Sequence, residues 1–327
     1  MTKLKKLTAR TPEDLLAAVP IILGFHPEDS VVMLTFGAAG GPPRAGDTFH
    51  ARVDLPEPGR LAHAVDPLLH AAVRHRVPRV AFVLYTADAE LAEPVAQALD
   101  DAFVAAGIEV VAFLRANRGR WFPMGAEAYP VGRPYDAETH PFAAESVFEG
   151  AVIHRSRAEL AGSVAGVPEE VARVQELVPA ALTRLTGRVG PAEARWVADT
   201  IREAVASQRS LEPGEVARLV TDLTEPPLRD EAWMQITRAG SARQVALWTD
   251  VLRRTPDELV PAPACLLAFS AWLSGQGALA WCALDRCQEV APGFPMAEPI
   301  AMALDRAVPP RTWDEFMAPP SQASESG

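Results

Sequence analysis

The stretch that decides the fold reads Val31-Val32-Met33-Leu34-Thr35-Phe36, then a Gly- and Pro-rich segment from Gly37 to Asp47, then Phe49-His50-Ala51-Arg52-Val53-Asp54-Leu55. The first run is apolar nearly throughout and too short for a helix, which is the pattern of a buried strand. The second alternates. Phe49, Ala51, Val53 and Leu55 fall on one face and His50, Arg52 and Asp54 on the other, because successive strand residues point to opposite sides of a sheet. The two segments are expected to pair as an antiparallel hairpin across a flexible loop, with one core face and one solvated polar face.

Upstream, Thr11-Pro12-Glu13-Asp14 opens a helix: Thr11 caps the free amides, Pro12 presets φ, and the carboxylates complement the dipole. Leu15, Leu16, Val19 and Ile22 repeat at helical spacing until Gly24 ends the helix. Downstream, Arg79 to Thr86 and Ile108 to Leu114 read as buried strands. Each follows a helical pattern, first Leu61, Val65, Leu68 and Leu69, then Leu91, Val95, Leu99 and Phe103. Strands alternating with helices imply parallel strands joined by crossovers. Pro67 interrupts the first pattern, so that helix is expected to start at Asp66 or to kink. The turn Asn117-Arg118-Gly119 folds Arg120 to Pro123 back as a closing strand, giving a mixed sheet of about five strands.

From Ser156 onward the pattern is helical throughout. Ser156 and Glu159 form a capping-box pair that opens the first of about eight to ten helices. The fold class is thus an α/β domain over 1–154 with a mixed β-sheet and flanking helices, an all-helical domain of helix hairpins over 155–318, and a disordered tail over 319–327.

The net charge of -11 is spread over both halves, and only a short tail with Lys3, Lys5, Lys6 and Arg10 is basic. A nucleic-acid partner is therefore not expected. No run of 18 uninterrupted apolar residues and no secretory pattern occurs at Met1 to Arg10, so a cytoplasmic location without membrane contact is expected. Cys265, Cys282 and Cys287 sit in apolar helical pattern, without metal-ligand spacing, and read as reduced core thiols.

Two blocks carry a family resemblance. Leu15 to Phe36, LLAAVPIILGFHPEDSVVMLTF, followed by ARVDLP, and the segment from Leu273 through ALDRCQEVAPGFPMAEPIAMAL together resemble the actinobacterial domain-of-unknown-function family 4192. The resemblance spans nearly the whole chain and implies no activity, cofactor or ligand set. It also implies that relatives carry cysteines between Arg120 and Tyr135, where this chain has none. Ala268, Ala280, Leu284, Cys287 and Pro292 further resemble one tetratricopeptide-like helix pair, although such repeats need about three copies to build a solenoid.

The sequence lacks a phosphate loop, a Gly-x-Gly-x-x-Gly turn, a His-Glu-x-x-His helix and a Gly-x-Ser-x-Gly elbow, and it identifies no cofactor. One geometric expectation remains. If the hairpin pairs as described, the loop before Val31 lies beside Asp54, at the edge where open α/β sheets bind ligands. That edge would gather His26, Glu28, Asp29, Ser30, Asp54, Thr86, Asp88, Arg115 and Arg120. Trp121 and Tyr135 would flank a loop able to overhang it. Such a set suits acid-base chemistry, a divalent cation, or an anionic ligand clamped by Arg115. The same residues also suit turns and caps. His63 and His70 share a helical face and read as surface histidines. The tryptophans at 196, 233, 248, 272, 281 and 313 occur in helical pattern and read as anchors of the helical core or of a partner surface, and the leading reading is a non-catalytic protein-binding or regulatory module with a possible protein partner on the helical half. The alternative is an enzyme or small-ligand-binding protein acting at the sheet edge.

Overall fold

The computed structural model describes residues 8–37, 49–125, 131–148, 150–187 and 189–317. The Gly- and Pro-rich hairpin connection from 38 to 48, the basic residues at the N-terminus and the tail beyond 317 lie outside the described residues. Two compact units are found, one extending to Arg157 and the other beginning at Ala158.

The first unit is built from helix α1 (Pro12–Leu23), strands β1 (Ser30–Phe36) and β2 (His50–Asp54), helix α2 (Ala62–Arg74), strand β3 (Arg79–Tyr85), helix α3 (Ala89–Ala105), strands β4 (Glu109–Asn117), β5 (Arg120–Pro123) and β6 (Arg133–Pro134), and helix α4 (Pro141–Phe148). The sheet order is β2-β1-β3-β4-β5-β6. Strand β1 is antiparallel to both β2 and β3, whereas β3 and β4 are parallel. Strands β2, β3 and β4 therefore run in one direction, as alternating strands and helices require, with β1 inserted the other way between β2 and β3. A sixth strand, β6, extends the sheet beyond the expected five by pairing with β5.

Apart from Ser30 and Thr35, strand β1 is apolar because both of its faces are covered. Val31 and Met33 join a core with Leu68 of α2 and Leu99 and Phe103 of α3. Val32 and Leu34 join a second core with Leu16 and Val19 of α1. Phe82 is central to the first core, edge-on to Phe103 and stacked on Phe113, each at 5.0 Å. Helix α1 starts and stops where expected, with a Thr11–Asp14 capping box and Gly24 in a left-handed C-cap at φ 78°. Helix α2 departs from expectation: it begins at Ala62 and runs through Pro67 rather than starting at Asp66. At the sixth helical position Pro67 forfeits only one early amide bond, and burial of Ala64, Val65 and Leu68 on the sheet offsets that loss.

The second unit is helical: α5 (Arg157–Gly162), α6 (Pro168–Gln175), α7 (Val178–Leu185), α8 (Pro191–Ser207), α9 (Pro213–Asp222), α10 (Pro226–Met234), α11 (Ser241–Arg254), α12 (Pro261–Leu273), α13 (Gly277–Val290), α14 (Ala297–Asp305) and α15 (Arg311–Met317), with 3-10 turns at Arg238–Gly240 and Asp257–Leu259. The described helices thus number one more than the expected range. Prolines at 168, 191, 213, 226 and 261 each occupy a first helical position, where a missing amide proton is harmless. Helix α12 is buried along nearly its whole length and packs against α10, α11, α13 and α14. Cys265 and Cys287 face each other from α12 and α13 at 3.8 Å as buried thiols.

Candidate functional site

The sheet register brings part of the expected set to one edge. Ser30 pairs with both Asp54 and Tyr85, Tyr85 pairs with Ala116, and Asn117 pairs with Arg120. The starts of β1 and β5 therefore meet the ends of β2, β3 and β4. The side chains divide between the two faces. Ser30, Asp54 and Trp121 lie with the α1 core, because their partners Tyr85 and Ala116 belong to it. Arg115, opposite Leu84 and Phe122, lies on the other face with its guanidinium 4.0 Å over the Phe122 ring.

Most of these side chains are engaged locally. Asp88 caps α3, its Oδ1 accepting from the Leu91 amide at 2.9 Å, and Thr86 Oγ1 accepts from the Asp88 amide at 3.0 Å. Arg115 donates to the Thr86 carbonyl at 3.3 Å, and Arg120 donates to the carbonyls of Val131 and Gly132 at 3.1 and 3.2 Å. Ser30 is fully buried, donates to the Glu28 carbonyl and accepts from Arg52 Nε at 2.9 Å. Asp54 is exposed and pairs with Arg52 at 2.6 Å. Asp29, exposed and left-handed at φ 40°, accepts from the Leu55 amide through its carbonyl at 2.8 Å. His26 is half-buried and its amide bonds the His154 carbonyl at 3.0 Å, while the Glu28 side chain is exposed.

Trp121 is 4 % exposed beneath α1, where its indole donates to Glu13 Oε1 at 2.9 Å. It is a core residue, and 126–130 of the loop expected to overhang the edge lie outside the described residues. The polar face of β2 is not a freely solvated one: burial pushes His50 down to about 4, and its Nδ1 accepts the Thr35 amide at 3.3 Å. His50 is thus neutral at pH 7.

A shallow cleft of about 510 Å³ opens at the end of β2, lined by Arg52, Asp54, Glu57, Arg60 and His63 among others. Asp54 is the one residue of the expected set that lines it; His26 and Arg115 do not. Arg60 and His63 were not singled out as ligands in the sequence, although their place in the loop after Asp54 and at the start of α2 is a readable signal. Tyr85 was also missed. Among the described residues its hydroxyl is buried without a hydrogen-bond partner, and burial raises both it and nearby Tyr135 above the usual phenol range.

The helical unit holds a buried ionic group that spacing alone does not reveal. Glu193 of α8 binds Arg218 of α9 at 2.5 Å, and Asp222 lies 3.8 Å from the same guanidinium, which stacks 3.5 Å over Trp196. Burial, and then the Glu193 carboxylate, raise Asp222 to about 7. Among the described residues, no group of three or more His, Cys, Asp or Glu is arranged to hold a metal ion, and no helix is long and apolar enough to cross a membrane.

No curated protein and no solved structure matches the chain. One family model does, that of a domain of unknown function (DUF4192), over residues 12–311, and because this covers most of the chain the protein belongs to that family.

Proposed function

We propose that the protein is a cytoplasmic, non-catalytic binding module whose helical unit engages a protein partner. Helix α7 carries this reading. Its Val178, Ala181 and Leu185 are buried, while Leu177, Leu182 and nearby Val189 are 38, 47 and 44 % exposed. Leu177 and Leu182 flank the buried face of this short helix and leave apolar surface beyond what its own core uses, and exposed apolar side chains are what partner surfaces require. The test is a photo-crosslinking residue at Leu182 in the native host. One protein adduct is expected, lost when Leu177 and Leu182 are both changed to Asp in a chain with unaltered circular dichroism. Absence of an adduct, together with turnover of a small molecule, overturns the reading.

The second reading, a phosphorylated or carboxylated metabolite at the sheet edge, is favoured by the cleft with Arg52, Arg60 and His63. Calorimetric titration with inorganic phosphate and citrate tests it. Saturable binding weakened at least about ten-fold by Arg60→Ala supports it, and no heat at millimolar ligand removes it.

A further inference from the structure

The helical unit carries an aromatic assembly separate from the α7 face. Trp233 of α10 stacks on Phe269 of α12 with ring centres 4.2 Å apart. Trp313 of α15 meets Phe269 edge-on at 4.9 Å and lies 6.3 Å from Trp233. Trp272 is 5.7 Å from Phe269 and donates its indole N–H to the Val308 carbonyl at 3.0 Å, just before α15. Asp314, the neighbour of Trp313, takes a bond from Arg238 Nε at 2.5 Å.

Helix α15 has seven residues, too few to be stable alone. Among its described residues, Trp313 packs on the aromatic cluster and Asp314 takes the Arg238 bond. The Arg238 and Asp314 side chains are 51 and 46 % exposed, so their pair contributes little and gives way readily. The family match stops at Arg311, short of both Trp313 and Asp314. The slot itself, made by Trp233, Phe269 and Trp272, lies within the matched region. Its seat is therefore part of what the family model covers, and its occupant is not.

We propose that this slot is a recognition site for a short partner helix presenting an aromatic residue followed by an acidic one, and that Trp313-Asp314 occupies it in cis. The geometry states the partner's chemistry: a flat ring set edge-on against Phe269 beside the Trp233–Phe269 stack, and a carboxylate one residue on, reaching Arg238. Aromatic anchors beside an arginine are the groups on which interfaces concentrate their affinity. A tethered occupant acts at high effective concentration, so the slot is closed until a partner helix displaces it. The proposal rests on the reading of the helical unit as a partner surface and supplies the chemistry of one such partner.

The probe is a fluorescent peptide with the sequence of residues 309–317, PPRTWDEFM, titrated into the full chain by anisotropy. Full-length Trp313→Ala is expected to bind it at least about ten-fold more tightly than the unaltered chain, because the tethered competitor is gone. Adding Arg238→Glu is expected to weaken peptide binding by that variant about three-fold. Equal affinity for the unaltered and Trp313→Ala chains, or insensitivity to Arg238→Glu, overturns the proposal. Should Trp313→Ala fail to fold, Asp314→Ala loosens the latch while keeping the ring, and a gain of about three-fold is expected; no gain overturns the proposal. A dimer of the unaltered chain in light scattering that Trp313→Ala turns into a monomer also overturns it, since the slot would then serve exchange of α15 between copies. The Leu182 crosslink does not involve this slot, so the two ideas fail separately.

Discussion

At Arg118 the chain adopts a left-handed backbone, φ 46°, followed by Gly119 at φ 71°. Two positive φ values in a two-residue hairpin loop fit a type I′ turn, in which a side chain other than Asn, Asp or Gly is strained. Arg118→Asn is expected to raise stability by roughly 0.5 to 1 kcal/mol in urea unfolding. Asp222 bears on pH. Its folded pKa, about 7, lies above the usual aspartate value of 3.8. The folded chain thus keeps a proton that the unfolded chain releases, and stability falls as pH rises from about 4 to about 7. Asp222→Asn is expected to match the unaltered chain near pH 4 and exceed it by about 1 to 2 kcal/mol at pH 8. A variant less stable at pH 8 would show that the charged Asp222–Arg218 pair is net favourable.

At the scale of elements, caps and registers account for most of the side chains that a sequence reader would take for chemistry. Asp88 starts α3, and through Thr86 and Arg115 it ties the end of β3 to β4. Asp88→Ala is expected to cost about 1 kcal/mol of stability and Asp88→Asn only a few tenths, since Asn also caps. If ligand binding at the β2 cleft falls equally in both variants while stability is unchanged in Asn, Asp88 serves the cleft rather than the helix. The expectation that Asp54 and the loop before Ser30 adjoin was legible from alternation alone. The opposite facing of Asp54 and Arg115 was not, because it depends on the irregular β3–β4 register between Val80 and Ala81, which slips every later residue of β4 to the other side.

At the scale of the whole molecule, each unit has its own buried core. Phe82, Phe103 and Leu99 are fully buried in the first, and Trp248, Ile201 and Val251 in the second. Chains with separate cores tend to unfold as separate cooperative units. Scanning calorimetry is expected to show two transitions, with Phe82→Ala lowering one and leaving the other in place. A single transition moved as a whole by Phe82→Ala would indicate that the units melt together. The net charge of -11 opposes self-association at low salt, so the peptide titration is best performed near physiological ionic strength.

Local signals in the sequence determined the first five strands, the helix start at Thr11 and the β1–β2 pairing, because period, capping and turn chemistry act over a few residues. Tertiary structure decided which of those residues meet. Glu193 and Arg218, or Trp233 and Trp313, are distant in sequence and carry no mutual pattern, so their contact exists only once the helices pack. Packing likewise decided that Trp121 is a core residue, since its burial under α1 and its bond to Glu13 follow from a sheet face that only the assembled strands create.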